Sequence, residues 1–379
     1  MNFQQSLEFM QKYTKVHVLS GTDNQNQVMV CPDLQGRVMT STATGPDGLS
    51  FGWINTELLS SGEDNQHFNA YGGEERLWLG PEGGQFSIFF APNDPFDLDH
   101  WYTPPAVNSE PWDVLDAGQN RIVMRKNMKL TNYSGTNFDV TIDRSVDLLD
   151  EANIDSVLGL TVNDLKVVGY QSVNTLGNSG DNAWEKESGL LSIWMLGMFV
   201  PSPATTVVIP FKTGPEEELG PIVNDVYFGA VPQDRLQIKD GKIFFKCDGK
   251  QRGKIGISPQ RVIPWAGGYD AENKVLTLIT FSFDPANTEY VNSLWEIQDQ
   301  PFAGDVLNSY NDGPTSPGGK PLGPFYEIES SSPAAQLAPG GSLVHTHTTI
   351  HLTGSEAALD VVAKSVLGVG IQEIKTTFQ

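Results

Sequence analysis

The 379-residue chain is poor in cysteine and in positive charge, and it lacks long apolar runs. Cys31 and Cys247 are its only cysteines, which excludes a disulfide framework. Both sit in apolar, strand-like stretches and read as buried thiols, with one bridge between them left open. Lys and Arg number 24 against 46 Asp and Glu, a net charge of −22. A phosphate backbone needs a basic surface, so no nucleic acid is expected as a partner. The same charge disfavours anionic sugars at long range, although a local Arg or Lys cluster would still hold one. No run of about 18 apolar residues occurs, so no membrane span is expected. Met1-Asn-Phe-Gln-Gln-Ser-Leu7 has no basic region followed by an apolar stretch. It therefore does not read as a signal peptide, and cytoplasm and periplasm both stay open. Fixed-period repeats are missing, which counts against a propeller or solenoid. A Gly-x-Ser-x-Gly elbow, a P-loop and a dinucleotide fingerprint are missing too, and no cofactor is implied.

What is present is strand after short strand, broken by 38 Gly and 24 Pro. Lys15–Leu19, Gln27–Cys31 and Val38–Ala43 open the series. Arg121–Thr131 and Phe138–Leu148 alternate around a turn, and Leu165–Val173, Leu190–Phe199 and Thr205–Phe211 follow. Asp240-Gly241 marks a hairpin within Leu236–Lys246, and a second is expected between Val262–Trp265 and Val275–Phe283. Ser6 is placed as the cap of a short first helix. Thr353-Gly-Ser-Glu356 fits a capping box for one long final helix that stops at Gly368. Glu216–Glu218 reads as a solvated loop, and Ser309–Pro324 as a functional or mobile one. The expected fold is all-β: one large antiparallel β-supersandwich over residues 1–379, with a C-terminal helix packed outside.

Two blocks carry candidate chemistry. Phe325–Leu352 reads as two strands joined by a Pro-Gly turn, and the first bears Glu327 and Glu329. Strand side chains alternate, so these carboxylates share one face. In Phe68–Gly84, two Gly pairs flank a strand-length segment with Arg76, Trp78 and Glu82. A sugar's C–H face stacks on an indole, while guanidinium and carboxylate bond its hydroxyls. The bland reading is a buried Trp beside a structural ion pair. His67 and His100 lie in loops near Trp101 and Tyr102 and are cleft candidates. His345, His347 and His351 alternate on one strand. A structural role is favoured for them over a metal site. Lys254 and Arg261 flank a strand or contact a substrate acid.

The late block resembles the galactose mutarotase (aldose 1-epimerase) superfamily. That family has a Leu-Glu-x-Gln-x-x-Pro strand, a Leu-x-Pro-Gly-Glu turn and a His-Thr-Thr-Trp strand. Here Glu329-Ser-Ser-Ser-Pro333, Leu337-Ala-Pro-Gly-Gly341 and His347-Thr-Thr-Ile350 match them. The chain departs from the family at its histidines. Tyr71-Gly72-Gly73 stands where the family has His-Gly-Gly, and Thr131-Asn132-Tyr133 where it has Thr-Asn-His. Trp78-Leu-Gly-Pro-Glu-Gly-Gly84 is similar to bacterial members of a branch without the usual His pair. The resemblance implies a mono- or oligosaccharide partner, with Glu327 or Glu329 catalytic and Tyr71 beside the ligand. Epimerisation, or hydrolysis or elimination by a carboxylate pair, is one implied function. The alternative is a non-catalytic sugar-binding protein that kept the fold.

Overall fold

The computed structural model describes residues 1–316 and 318–379; Pro317 lies outside them, in the stretch expected as the Ser309–Pro324 loop. Of that stretch, Ser309–Asn311 instead belong to a strand, because they pair with the strands on either side. The strands begin with β1 His17–Ser20, β2 Gln27–Cys31, β3 Arg37–Thr42, β4 Arg76–Gly80, β5 Asp113–Ala117 and β6 Arg121–Thr131. Next come β7 Asn137–Leu148, β8 Leu165–Asn178, β9 Ser192–Leu196, β10 Thr205–Pro210, β11 Leu236–Lys239 and β12 Lys242–Lys246. The series ends with β13 Gly253–Ile257, β14 Trp265–Asp270, β15 Val275–Phe281, β16 Leu307–Asn311, β17 Tyr326–Ser331 and β18 Ser342–Gly354. The helices are α1 Phe3–Met10, α2 Thr56–Ser61, α3 Glu151–Leu158, α4 Glu216–Leu219, α5 Glu356–Leu367 and α6 Ile371–Thr376.

A ten-stranded sheet runs β11-β12-β10-β14-β15-β18-β8-β7-β6-β5, and a five-stranded sheet runs β13-β16-β17-β9-β4. A small β1-β2-β3 sheet stands beside them. The large sheets are joined by a shared apolar layer in which Leu77, Leu79, Ile193 and Met195 meet Val140, Ile142, Tyr170 and Leu176. On the other face of the ten-stranded sheet, Leu276, Leu278, Ile350 and Leu352 receive Leu359, Val362 and Leu367 of α5 and Ile371 and Ile374 of α6. Each such buried aliphatic side chain stabilises the layers by roughly 1.5–3 kcal/mol. The expected antiparallel supersandwich is the fold observed, with a second short helix after the expected C-terminal one.

Several local expectations are corrected. Asn2, not Ser6, caps α1, because its side chain accepts from Gln5 N while Gln5 reaches back. Ser355, not Thr353, caps α5 by accepting from Ala358 N; Gly368 ends it at φ 68°. Glu216–Glu218 forms the exposed helix α4. The second hairpin uses Trp265–Asp270 rather than Val262–Trp265. Its Gly267 and Gly268 leave room for Leu367 on one face and Tyr326 on the other, where a Cβ would lie within 3 Å of each. The strands β17 and β18, adjacent in sequence, belong to different sheets.

The interior also holds polar groups. Arg144 bonds Glu75 at 2.7 Å, Asn174 at 2.7 Å and the Gly36 carbonyl at 3.1 Å, all buried. The late histidines are spoken for here. Ser330 Oγ meets both His345 Nε2 and His347 Nδ1. His351 joins Thr277 and Glu74, each at 2.8 Å. Burial, aided by neighbouring His347 and Arg144 respectively, pushes His345 and His347 down to about 3. Cys31 and Cys247 are free and buried, and burial pushes the Cys31 thiol up to about 12. No helix among the described residues is long and apolar enough to cross a membrane.

Candidate saccharide site

The candidate site is the outer face of the five-stranded sheet. Ladder register assembles it. Trp78 of β4 lies opposite Trp194 of β9, and Arg76 opposite Leu196. Leu196 in turn lies opposite Glu329 of β17. Glu327 pairs with Tyr310 of β16, and Tyr310 with Lys254 of β13. Opposed residues project to the same side of a sheet. Five strands separated widely in sequence thus present Lys254, Tyr310, Glu327, Glu329, Trp194, Arg76 and Trp78 together. The alternate residues Ile255, Ile328, Met195 and Leu77 enter the core.

Two ion pairs cross this surface. Arg76 Nη2 donates to Glu327 Oε1 at 2.5 Å. Lys254 Nζ donates to Glu329 Oε2 at 2.9 Å, and Trp194 Nε1 donates to the same oxygen at 2.8 Å. Each cation also lies over an indole, with Arg76 4.7 Å from the Trp78 ring and Lys254 4.6 Å from the Trp194 ring. Cation–π contact and carboxylate together orient both cations. Glu327 is only 5% exposed and Glu329 fully buried. Burial pushes the Glu327 carboxyl up to about 7; Arg76 opposes this and Glu329 adds to it. Glu82 is also raised by burial, against the pull of Lys254.

Close backbone approach builds the walls. A Cβ on Gly83 would lie 2.4 Å from the Leu294 carbonyl, so the glycine lets that segment settle and bring Trp295 to the lining that Glu82 shares. Gly323 lies against the Trp53 indole, 2.0 Å from where its Cβ would be, and its amide donates to Asp312. This anchors one end of the loop that lends Thr315, Lys320 and Leu322 to the rim. The cavity, open at one side, has a volume of about 340 Å³. Its lining is rich in aromatic rings, including Phe68, Trp101, Phe228 and Phe325, as small-molecule pockets tend to be.

Of the residues singled out from sequence, Arg76, Trp78, Glu82, His67 and Glu327 line this one cavity. His67 is set there by its Nδ1 contact with the Trp101 carbonyl at 2.9 Å and by stacking on Tyr102. Glu329 lies beside the lining, holding Lys254 and Trp194. Tyr71 is not at the cavity: its ring lies 5.6 Å from the Arg37 guanidinium and packs with the cluster around Phe3 and Met39. Tyr133 packs on Phe96, away from the lining. His100 pairs with Asp97 on the surface. Lys254 lines the cavity, but Arg261 bonds the Gly220, Lys212 and Gly214 carbonyls elsewhere. Sequence reasoning missed Trp194, Trp295, Tyr310 and Arg252. Only strand register would have found Trp194 and Tyr310, and nothing local marks the others.

The Glu327 assignment has a direct consequence. The carboxyl resonance of Glu327, identified by its loss in Glu327→Gln, is expected to titrate near pH 7 rather than near the ordinary value of about 4.3. Arg76→Met removes the charge that holds it down, so the midpoint moves higher still. A midpoint near 4 in the wild-type protein would refute this electrostatic reading.

The fold defined by this sandwich is that of the galactose mutarotase-like proteins. A crystal structure of a putative aldose 1-epimerase from Escherichia coli K12 superposes with a TM-score of 0.52 at 12% identity, over 90% of this chain and 99% of its own. The Slr1438 protein from Synechocystis sp. PCC 6803 gives 0.52 at 13% identity, over 90% and 96%. A galactose mutarotase-like protein from Lactobacillus casei ATCC 334 gives 0.50 at 10% identity, over 89% and 100%. A family model described as "Family of unknown function (DUF6786)" matches residues 1–378, and the chain belongs to that family. No curated protein matches it.

Proposed function

We propose that the protein binds a mono- or oligosaccharide in the Arg76–Trp78–Glu327 cavity and that Glu327 carries out acid–base chemistry at the anomeric centre. The observation that carries this reading is Glu327 itself. It is a buried carboxyl on an aromatic floor, raised to about 7. Such a group is present in both protonation states near neutral pH, the condition under which acid–base catalysis is efficient. The sugar ring stacks on the indoles, and Arg76 orients the carboxylate. In anomerisation, one group takes the proton of the anomeric hydroxyl while another protonates the ring oxygen. The C1–O5 bond then breaks to give the open-chain aldehyde. Rotation about C1–C2 and the reverse proton transfers close the other anomer. Glu327 and Glu82 are assigned these two proton positions. Glu329 is a positioning residue that acts through Lys254 and Trp194. The putative aldose 1-epimerase among the structural neighbours supports the substrate class by fold analogy. The second reading, binding without turnover, is favoured by one observation: the tyrosines at the family's histidine positions, Tyr71 and Tyr133, do not line the cavity.

The test is a titration of tryptophan fluorescence with a panel of mono- and oligosaccharides, since Trp78, Trp101, Trp194 and Trp295 all line the cavity. Hits are then followed by NMR for exchange between α and β anomer signals, or for cleavage. Saturable quenching with exchange is the expected result. Quenching without any reaction selects the second reading, and a panel that yields no binding overturns both.

A further inference from the structure

Arg252, just before β13, differs from every other arginine in the protein. The others hold an acidic side chain or a backbone carbonyl. Arg252 forms no ion pair or side-chain hydrogen bond among the described residues, and its Nε is buried without a partner. Its guanidinium carbon instead lies over Phe228, 3.6 Å from the ring centroid, on the lining of the cavity. The acids nearest in influence are already engaged. Asp312 accepts from Tyr310 and from the Gly323 amide, and Glu82 faces Lys254 as well as Arg252. Lys320, exposed on the rim, also forms no ion pair among the described residues. The lining therefore carries four cations, Arg76, Arg252, Lys254 and Lys320, against the two carboxylates Glu82 and Glu327. Arg76 and Lys254 are paired with Glu327 and Glu329, so Arg252 and Lys320 face only Glu82, an excess of one cation in the lining. This local excess stands in a chain of net charge −22, so it is not a by-product of a basic surface.

We propose that the saccharide taken by this cavity carries an anionic group, a carboxylate or a phosphate, which Arg252 and Lys320 bind at the mouth. The inference rests on the saccharide reading above. A planar guanidinium fixed by stacking presents a pre-formed fork to either anion, and half-desolvation strengthens the contact. Phe228, Leu98 and Leu322, apolar and exposed at the same rim, cover the ring that bears the anion.

Calorimetric or fluorescence titrations with glucose, glucuronate and glucose 6-phosphate test this, together with the neutral sugar that binds best in the panel. At least one anionic sugar is expected to bind about tenfold or more tightly than its neutral parent, the scale of one charge-assisted hydrogen bond. The preference should shrink as salt is raised. The carboxylate and phosphate arms identify which anion the mouth accepts. In Arg252→Gln and in Lys320→Gln the ratio of anionic to neutral affinity should fall, with Arg252→Lys retaining part of it. Lys320 is exposed, so that variant keeps the test open should Arg252→Gln fail to fold. Equal affinity for neutral and anionic sugars overturns the inference and leaves the saccharide reading standing. So does an unchanged ratio in folded variants. Absence of any saccharide binding overturns both.

Discussion

Glu327→Gln is expected to lower the rate of anomer exchange by about 10²–10⁴-fold, the usual contribution of a positioned acid or base. Glutamine keeps the shape and an acceptor for Arg76, so sugar affinity should stay within about tenfold, roughly one hydrogen bond. The wild-type rate should carry a limb near pH 7. Glu327 acting as the base must be ionised, so activity rises as pH increases through that value. The Gln variant should lack this limb. Saturation-transfer NMR on an anomeric mixture, repeated across pH, measures both effects. Wild-type turnover in a folded Gln variant would remove Glu327 from the mechanism.

Arg144→Met should destabilise the fold by about 3–5 kcal/mol, because it leaves Glu75 buried without its counter-charge. Asn174 and the Gly36 carbonyl lose their donor as well. Glu75 is already raised by burial, with Arg144 the main opposing influence. Without Arg144 its folded pKa rises further, so the folded variant takes up a proton that the unfolded chain releases. The loss should therefore be smaller in mild acid than at neutral pH. Adding Glu75→Gln should recover part of it, a coupling expected of contacting residues. Urea denaturation of the four proteins of this cycle gives the answer. A single-variant loss below about 1 kcal/mol would show that the pair is not the constraint its burial suggests. We also propose that residues 1–379 unfold as one domain, since Arg144 ties β7 to Glu75 and to the turn before β3. A second urea transition would argue otherwise.

Much of this was legible from sequence because strands announce themselves locally. Period-two alternation placed β6, and a short β run between turn residues placed β2, at their observed bounds, and Asp240-Gly241 marked its hairpin. Gly267 and Gly268 defeated the same reasoning. Glycine has low strand preference, and here it is required by Tyr326 and Leu367, which arrive from distant segments. Helix caps were misplaced by two to four residues because Ser, Thr and Asn compete for the role, and the winner depends on where the chain leaves the sheet.

The site divides in the same way. That Glu327 and Glu329 share a face, and Arg76 and Trp78 another, follows from the two-residue repeat of a strand and needs no fold. That these are one face does not follow. It depends on β9 lying between β17 and β4, which inserts Trp194 and Leu196 and sets Arg76 against a carboxylate 251 residues away. Tyr71 shows the limit from the other side. Tyr71 precedes β4 by only five residues, but the Gly72-Gly73 bend, with both residues at positive φ, turns Tyr71 away toward Arg37. Sequence alone determined the strand content, the acidity and the residue types able to meet a sugar. Tertiary structure alone decided which of them meet, which carboxyl is buried enough to hold its proton near pH 7, and which arginine is left without a partner. Those properties arise from register and desolvation, which join segments that carry no mark of one another along the chain.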